Sequence, residues 1–477
     1  MSNPNSLGAV THYSADLANR PSPLDLVAYL PWACNQMQCQ HTVTVIKVTQ
    51  TEYVSVNPTG KKPKPKPKPV VVSSTSSSDL KKDEQIQSTF SEEDTLKIYA
   101  IYDATDRLVE LKFENHVEIP RMIFQIIALI IKFQSGLNTI TINYGIDMYS
   151  IHEISKILTI SNITDICLDD TYLKEANYYI LLDNENSIRR ISLSRCTIND
   201  NIAEAIAVRL VYPLPASKTL SILDLSSNKI TDLGAKYIAH ALRSNRFLSY
   251  LNLSGNLLTD TGAIAILNHL VEFQLTSEEL MSSRQRFLQF YHQKNELTAK
   301  IFRDFRTVDS TKDRRKSLRT PVMPKKIKTI EREPSTKEVK SAIDITQDRS
   351  LYEKARNMAE NQMGKFKDPF TKDNLVVHDD NVYCTGNNGL CYLNLSFNDL
   401  SYFSLKTVAH VVMTQKVLNK KPIGLVNVSI DGNNLPINCV ELNDINNVLF
   451  PVAFDKNAVK KRAGGTAKST PPNPGRN

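Results

Sequence analysis

The sequence predicts an α/β solenoid, a horseshoe in which parallel strands form a concave β-sheet and helices form the convex side. Two observations predict this fold: the chain repeats itself at an interval of 28 residues, and each repeat reads as a short strand followed by a helix. A long basic, partly disordered insert is predicted to interrupt the series. The repeat is clearest where residues 220–242 overlay residues 248–270 at ten positions. Ten matches at one offset indicate stacked structural units rather than a single compact core.

The first half of each unit has the pattern L-x-x-L-x-L-x-x-N-x-L and is predicted to form a strand and the turn after it. Leu223 and Leu225 alternate with Asp224, so a strand with a period of two residues buries both leucines and exposes the aspartate. Asn228 carries an amide that both donates and accepts hydrogen bonds. It can therefore satisfy backbone groups where the chain turns away from the strand.

The second half of each unit reads as a helix. Asp232 stands where it can cap the first turn, and Gly234 and Ala235 are small enough to let the helix lie close to the sheet. Ile238 and Leu242 follow at helical spacing, and we expect them to face the core.

Looser copies extend the series to eight predicted strands, six before residue 271 and two after residue 385. Four repeats carry asparagine at the turn, and these side chains are predicted to form a structural ladder of hydrogen bonds: Asn228, Asn256, Asn398 and Asn433. Earlier repeats have Thr171 or Cys196 there, which hydrogen-bond more weakly, and Gly145, which has no side chain to bond. The first repeats are therefore predicted to be the less regular ones.

The period near 28, with Gly-Ala after the turn, resembles the ribonuclease-inhibitor-type branch of the leucine-rich-repeat family. The resemblance covers roughly residues 105–270 and 388–436, and it is specific in fold rather than in function. The interruption by a long lysine-rich insert is similar to that of an intracellular leucine-rich-repeat protein associated with ciliated or flagellated cells. This second resemblance implies a cytoplasmic protein for which a ciliary or flagellar axoneme is a candidate location.

Changes of composition along the chain divide it into seven segments. The predicted segments are an N-terminal segment that can act as a cap (1–56), a Lys/Pro-rich and Ser-rich linker (57–90), leucine-rich repeats one to six (91–275), a helical and basic insert (276–386), repeats seven and eight (387–436), a C-terminal cap (437–456) and a disordered basic tail (457–477).

The insert itself is predicted to have three parts. Residues 276–305 and 351–366 carry apolar residues at helical spacing. Residues 306–348 are basic and contain several prolines, which predicts disorder. Because the insert leaves the series on the helical side, the sixth and seventh strands can still pair; a broken solenoid is the alternative.

The formal net charge is +8, and residues 300–340 alone hold fourteen Lys or Arg against six Asp or Glu. The excess positive charge therefore lies in the insert and the tails rather than in the repeats. This distribution favours tethering over a basic binding groove.

Several classes of protein are disfavoured by what the sequence lacks. Seven scattered cysteines without a C-x-x-C pair predict neither a disulfide framework nor a zinc site. The absence of an apolar N-terminal h-region and of an 18-residue apolar run predicts a cytoplasmic protein with no membrane span. There is no P-loop, no G-x-G-x-x-G, no H-E-x-x-H and no nucleophile elbow. We therefore expect no catalytic residue, cofactor or metal ion.

Repeat solenoids bind partners on the concave sheet, where outward strand residues align in columns. Parallel strands in register would put Asp165 beside Arg190 and Asp170 beside Arg195. These four residues are candidates for partner binding. The simpler interpretation, which we favour, is that they form lateral salt bridges on an exposed sheet, each contributing about 0–1 kcal/mol.

Aromatic residues on the concave face are the stronger candidates for a protein-binding site. Tyr250, Tyr392 and Phe397 are predicted to cluster on adjacent strands, and aromatic side chains dominate interface energetics. An equally weighted alternative is that a cap or the insert folds back over them.

A further candidate is a phosphorylation site. The segment Arg314-Arg315-Lys316-Ser317 fits the pattern read by basophilic kinases, and phosphate on Ser317 would cancel much of the local positive charge. Short basic motifs of this kind also arise by chance.

The sequence supports three hypotheses about function. The first is a non-catalytic scaffold whose concave face binds a protein partner, with a cytoskeletal or axonemal protein as one candidate. The second is an electrostatic adaptor on microtubules or another polyanion through the basic insert. Nucleic acid ranks below tubulin because the basic segment has no interleaved aromatic residues. The third is a regulator of a small GTPase.

Overall fold

In the computed structural model, the structure describes residues 20–51, 95–114, 117–317, 336–418, 421–436 and 438–449. The chain divides into two units. The first contains the residues up to 271 and from 386 onward, and the second contains residues 272–385. The predicted linker and the basic tail lie outside the described residues.

The described strands and helices follow in chain order. The strands are β1 (Thr42–Thr49), β2 (Thr95–Tyr102), β3 (Leu108–Phe113), β4 (Thr139–Ile142), β5 (Asp165–Cys167), β6 (Arg190–Ser192), β7 (Ile222–Asp224), β8 (Tyr250–Asn252), β9 (Phe273–Gln274), β10 (Leu375–His378), β11 (Asn381–Cys384), β12 (Tyr392–Asn394) and β13 (Asn427–Ser429). The helices are α1 (Leu26–Gln36), α2 (Arg121–Ile130), α3 (Met148–Ile160), α4 (Asp200–Leu210), α5 (Ala216–Thr219), α6 (Asp232–Leu242), α7 (Asp260–Leu267), α8 (Ser277–Ser317), α9 (Thr336–Met363), α10 (Tyr402–Leu418) and α11 (Val440–Leu449).

The first unit is built on a ten-stranded sheet with the order β1-β2-β3-β4-β5-β6-β7-β8-β12-β13. From β3 to β13 every neighbouring pair is parallel, and helices alternate with the strands. The apolar residue in the middle of the repeat strand is at most 2% exposed in seven successive strands: Leu111, Ile140, Ile166, Ile191, Leu223, Leu251 and Leu393. The predicted leucine-rich-repeat solenoid is therefore confirmed.

The N-terminal end of the sheet was not predicted in this form. Residues 95–102 form β2, which pairs antiparallel with β3, although the sequence analysis had placed residues 91–275 among the repeats. An antiparallel hairpin cannot be a repeat, so the first repeat strand is β3. Strand β1 pairs parallel with β2 over eight residues, and α1 buries Leu26 and Leu30 beside them. The N-terminal segment thus contributes strand β1 to the sheet, and this strand was not predicted from the sequence.

The sheet continues across the interruption. Strand β8, the last repeat strand before it, pairs parallel with β12, the first repeat strand after it. Asn256 and Asn398 hold the same place in their repeats and are 142 residues apart. This distance is the sum of one repeat and the interruption. One repeat is 28 residues long, which is the spacing of Asp224 and Asn252, and residues 272–385 add 114. The structure thus resolves the alternative in favour of an unbroken solenoid.

The aspartate at the start of α6 has a different role from the predicted one. Thr231, not Asp232, caps α6. The carboxylate of Asp232 instead accepts hydrogen bonds from the next helix, at 2.8 Å from Thr259 N, 2.6 Å from Thr259 Oγ1 and 3.0 Å from Gly262 N. A Cβ on Gly262 would lie 2.5 Å from that carboxylate, which is why glycine stands there. This aspartate therefore joins neighbouring repeats.

The same contact crosses the interruption. Asp260 accepts hydrogen bonds from the backbone N–H of Ser401 at 2.9 Å and of Ser404 at 3.2 Å, and from both hydroxyl groups. Burial works against ionisation of this carboxyl, but the hydrogen bonds outweigh it and hold its pKa below the ordinary 3.8. The convex side is therefore continuous, like the sheet.

The second unit contains a three-stranded antiparallel sheet with the order β10-β11-β9 and two long helices, α8 and α9. The helices contact each other through Phe302 and Tyr352, whose ring centroids are 5.8 Å apart, and through an ion pair of 3.0 Å between Arg306 and Asp348. Within the segment predicted to be disordered, residues 306–348, α8 runs to Ser317 and α9 begins at Thr336. Residues 318–335 lie outside the described residues.

Candidate functional site

On the concave face, polar side chains of the repeat strands hydrogen-bond to the backbone of their own repeat and, between β7 and β8, to each other. Asp224 accepts from Ser226 N at 2.9 Å and from Asn252 Nδ2 at 2.9 Å, and Asn252 Oδ1 accepts from Ser254 N at 3.1 Å. Asn394 accepts from the backbone N–H two residues later in the same way, at 3.0 Å. The sequence analysis missed this network. Its signal is an Asp or Asn followed two residues later by Ser, as in 224–226, 252–254 and 394–396.

The turn asparagines lie at the edge of this network. Asn228 Oδ1 accepts from the backbone N–H groups of Cys196 and Ile198, each at 3.0 Å, and Asn398 Oδ1 accepts from those of Asn256 and Leu258, each at 3.2 Å. Asn433 serves the N–H groups of residues 398 and 400 in the same way. Each side chain thus satisfies backbone groups of the preceding repeat and fixes the spacing of the strands.

A second pair of asparagines, also missed from the sequence, serves the loops that lead back into the strands. Asn245 and Asn387 are both fully buried. Asn245 Nδ2 donates to Leu210 O, and Asn387 Nδ2 donates to Leu242 O, each at 2.9 Å. Both ends of the repeat strands are therefore held by buried amides, and the concave face is a fixed surface.

Two tyrosines stand side by side on this surface. Tyr250 on β8 and Tyr392 on β12 are register partners, and their ring centroids are 6.1 Å apart with an angle of 36° between the ring planes. Tyr392 is 44% exposed, and Tyr250 is half-buried between it and Ile222 of β7, its register partner on the other side. Burial, with Asp224 nearby, raises the pKa of Tyr250, so this ring is a neutral phenol at physiological pH.

Phe397 projects from the turn beyond β12 and is 67% exposed. Its φ is +55°, a left-handed conformation that bulky residues rarely adopt. The equivalent residues of neighbouring repeats, Gly255 and Gly432, have φ values of +66° and +71°. A side chain on Gly432 would collide with the Phe397 ring, which therefore lies against the backbone of the next repeat. An aromatic residue thus occupies a position where its neighbours have glycine.

The four predicted charged residues behave as two different pairs. Asp170 and Arg195 form a two-pronged ion pair in which Nη2 lies 2.7 Å from Oδ2, and the guanidinium lowers the pKa of Asp170. Asp165 and Arg190 are register partners, but the Asp165 carboxylate accepts from the Thr164 hydroxyl at 2.6 Å. Within the described residues Arg190 forms no ion pair, and it is exposed on the same column as Ile222 and Tyr250.

At the other end of the concave face lies a cavity of about 650 Å³ that sequence reasoning did not single out. Tyr144 and Tyr172, which are 50% and 71% exposed, line it together with Glu118 and Asp170. The structure therefore separates two aromatic areas, one with Tyr144 and Tyr172 and one with Tyr250, Tyr392 and Phe397 beside the interruption.

The remaining predictions concern single residues and chemical groups. Ser317 is the last residue of α8, and the structure does not describe its side chain. No cluster of three His, Cys, Asp or Glu able to hold a metal ion occurs in the described ranges. Among those same residues, no helix is long and apolar enough to cross a membrane.

Comparison with known proteins identifies the repeats. The family model of the Leucine Rich repeat matches three stretches, residues 185–207, 216–239 and 244–267, which hold β6, β7 and β8 and the helices after them. No curated protein matches the chain. The three matched stretches follow one another without a gap of more than nine residues, and the sheet extends the same unit in both directions. Residues 185–267 are therefore leucine-rich repeats, the unit from which the solenoid is built.

Proposed function

We propose that the protein is a non-catalytic scaffold that binds a protein partner on the concave face, at a site formed by Tyr250, Tyr392 and Phe397. The observation that carries this proposal is the contact of two partly exposed tyrosine rings on adjacent strands. Paired aromatic side chains on a rigid surface lose little conformational freedom when they bind, and such residues are the usual anchors of protein interfaces.

The surroundings of the tyrosines narrow the chemistry of the partner. Asp224 and Asn252 hydrogen-bond to each other and to the backbone, and Asn394 Oδ1 accepts from Ser396 N, so the surface between the aromatics offers few free acceptors. Arg190, in contrast, lies one strand beyond Ile222 and forms no ion pair with any described residue. A segment that places apolar side chains on the tyrosines and a carboxylate near Arg190 fits this arrangement best.

Affinity capture from ciliated or testis tissue tests this proposal, with the full chain as bait and mass spectrometry as readout. The variant that combines Tyr250→Ala, Tyr392→Ala and Phe397→Ala should recover the partner with a loss of about tenfold or more. A matched control combines Phe133→Ala, Phe247→Ala and Phe403→Ala, three aromatics that are 53%, 46% and 69% exposed and lie outside the strands. Equal recovery by the two triple variants would exclude the concave site.

An electrostatic adaptor is a second candidate, because residues 300–340 carry an excess of positive charge equal to the net charge of the whole chain. Such binding to microtubules or another polyanion weakens as salt rises. Co-sedimentation with microtubules at low and at physiological salt, with the full chain and with a deletion of 306–340, measures it. Binding that survives the deletion would reject the insert as its cause.

Regulation of a small GTPase is a third candidate, and it rests on the leucine-rich-repeat fold of some GTPase-activating proteins. Those proteins need an arginine or asparagine positioned at the edge of the solenoid. Stimulated GTP hydrolysis that is lost on Arg190→Ala would support the candidate, and unchanged hydrolysis across a panel of small GTPases would remove it.

For the location, we propose the cytoplasm and, in ciliated or flagellated cells, the axoneme. The support is the similarity of the interrupted array to leucine-rich repeat-containing protein 71, in which a long lysine-rich insert separates the repeats. Imaging of the tagged full chain in ciliated cells tests the proposal, and a signal that stays in the cell body would contradict the axonemal part.

A further inference from the structure

A cavity of about 390 Å³ lies on the edge of the solenoid at which the repeat strands begin. Its walls come from the segments that lead into β5, β6, β7 and β8, so four successive repeats contribute to it. The lining is mostly polar: it contains the side chains of Arg189 and Lys218, three hydroxyl groups and two amides, and Phe247 completes the wall. Among the described residues, no carboxylate lines the cavity.

The two cations in this cavity have no acidic partner. Arg189 and Lys218 are exposed, and neither forms an ion pair in the part of the chain that the structure describes. Of the acidic residues close by in the sequence, Asp183 is paired with Arg209 at 2.7 Å, and Glu185 is exposed and does not line the cavity. The cavity therefore holds two positive charges that its own walls do not compensate, and it fits an anion.

The backbone that carries the arginine is held on both sides. The N–H of Arg189 donates to Thr164 O at 2.7 Å, and its carbonyl accepts from Ser221 N at 2.8 Å. The loop before it is closed by a side chain, because Asn186 Oδ1 accepts from Ile188 N at 3.1 Å. The guanidinium is therefore presented from a fixed base between two neighbouring repeats.

The lysine is presented from a fixed base as well, the short helix α5. Its neighbours Ala216 and Ser217 are buried, and the Ser217 hydroxyl donates to Leu214 O at 2.6 Å. Only the long side chains of Lys218 and Arg189 must lose conformational freedom when a ligand binds. A site whose backbone is already ordered binds at a lower entropic cost.

The groups that remain available fit a phosphate. A guanidinium binds two oxygens of a phosphate in a fork, and an ammonium acts as a point charge, so Arg189 and Lys218 together can balance the charge of about −1.5 to −2 on a phosphate monoester. The Thr164 hydroxyl is engaged, because it donates to Asp165 Oδ2 at 2.6 Å. The Ser187 hydroxyl is exposed and forms no hydrogen bond to any described residue, so it can donate to a further phosphate oxygen.

The shape of the cavity indicates what carries the phosphate. Sites for small molecules enclose most of the ligand and are lined predominantly by apolar and aromatic side chains. Here Phe247 is the one apolar residue among the described lining residues, and the cations stand exposed at the surface. An open, polar site of this kind fits a side chain on a protein surface, because the rest of the partner can cover the rim.

We propose that this cavity binds the phosphorylated side chain of a protein partner, with the phosphate held between Arg189 and Lys218. The hydroxyl of the neighbouring serine donates to the same phosphate. The proposal goes beyond the concave-face function and does not depend on it, because Tyr250, Tyr392 and Phe397 lie outside the lining of this cavity.

Phosphorus NMR of a phosphoserine pentapeptide with glycine at its other four positions tests the proposal with the full chain at physiological salt. The protein should broaden the peptide signal, and the double variant Arg189→Gln with Lys218→Gln should reduce the broadening by about fivefold or more. The matched control, Lys229→Gln with Lys236→Gln, removes two exposed cations that do not line the cavity. It should keep the broadening of the parent, which also controls for the basic insert.

Hydrogen exchange gives a second readout that locates the bound peptide. The peptide should slow exchange of the amides at residues 186–189 in the parent and in the control variant, and it should leave them unchanged in the double variant. All four substituted side chains are exposed, so the Tm of both variants should equal that of the parent.

Two further probes separate the sources of phosphate. Inorganic phosphate or a nucleoside monophosphate that binds as tightly as the peptide would overturn the assignment to a phosphorylated side chain. Vesicles that contain phosphatidylinositol phosphate and sediment with the parent but not with the double variant, while the peptide signal stays sharp, would overturn it in favour of a membrane surface. Peptide broadening that the double variant retains, or unchanged exchange at residues 186–189, would overturn the site itself.

Discussion

Substitution of Asn398 by alanine tests whether the repeats before and after the interruption stabilise each other as one solenoid. The Asn398 side chain accepts from the N–H groups of Asn256 and Leu258 and donates to the carbonyls of Leu253 and Leu395. Three of these four groups, the N–H groups of Asn256 and Leu258 and the Leu253 carbonyl, belong to the repeat that precedes residues 272–385.

The size of the effect follows from which groups lose their partners. Leu253 O keeps a hydrogen bond from Asn256 Nδ2 at 3.0 Å, and Leu395 O keeps one from Asn433 Nδ2 at 3.0 Å. The N–H groups of Asn256 and Leu258 have no acceptor other than Asn398 Oδ1 in the part of the chain that the structure describes. Each buried N–H without a partner costs about 1–3 kcal/mol, so Asn398→Ala should lower the free energy of unfolding by about 3 kcal/mol.

Asn228→Ala is the matched control, because Asn228 also serves two N–H groups but lies within the uninterrupted part of the array. Urea denaturation should give losses for the two variants that agree within about 1 kcal/mol, with unchanged m-values. Hydrogen exchange should accelerate at the amides of Asn256 and Leu258 in the Asn398 variant. A loss below about 1 kcal/mol for Asn398→Ala, beside a full loss for Asn228→Ala, would refute the continuous solenoid.

Three further predictions address single positions. Phe397→Gly should keep the free energy of unfolding within about 1 kcal/mol of the parent, because relief of the left-handed backbone strain offsets the lost packing of the ring. Partner capture by this variant should fall, and a large loss of stability would contradict the prediction. The lowered pKa of Asp260 contributes stability that is fully present above pH 3.8 and is lost as the pH falls through the pKa of the folded state. Asp260→Asn should therefore destabilise the protein at neutral pH, and its free energy of unfolding should change less than that of the parent as the pH is lowered. Iodoacetamide should leave Cys34, Cys167 and Cys196 unmodified in the native protein at neutral pH, since burial raises their pKa values to about 12, 12 and 11; mass spectrometry that finds alkylation before unfolding would contradict it.

The sequence predicted the parts of the fold that depend on periodicity. Leu223 and Leu251 are buried in register, and the concave column that holds Tyr250 and Tyr392 follows from the same 28-residue spacing. A repeat fixes the register of every strand once one strand is assigned. For this reason two tyrosines that lie 142 residues apart in the chain could be expected to stand next to each other.

The features that the sequence did not predict have a common physical cause. They depend on contacts between different segments of the chain, whereas a sequence pattern reports on one segment at a time. Asp232 has the sequence of a helix cap, but its carboxylate bonds the next repeat because Gly262 leaves room for it there. Strand β2 has no repeat pattern, and only its pairing with β3 reveals it.

The position of the aromatic site relative to the interruption has a consequence for how the protein can work. Tyr250 belongs to the last repeat strand before residues 272–385, and Tyr392 belongs to the first repeat strand after them. The two rings meet only because β8 and β12 are hydrogen-bonded neighbours, and the amides of Asn387 and Asn398 hold that junction at its two ends. A partner that contacts both tyrosines would therefore also hold β8 and β12 together. Binding and the pairing of these two strands would then be linked: binding would stabilise the pairing, and the pairing would strengthen binding by the same coupling free energy.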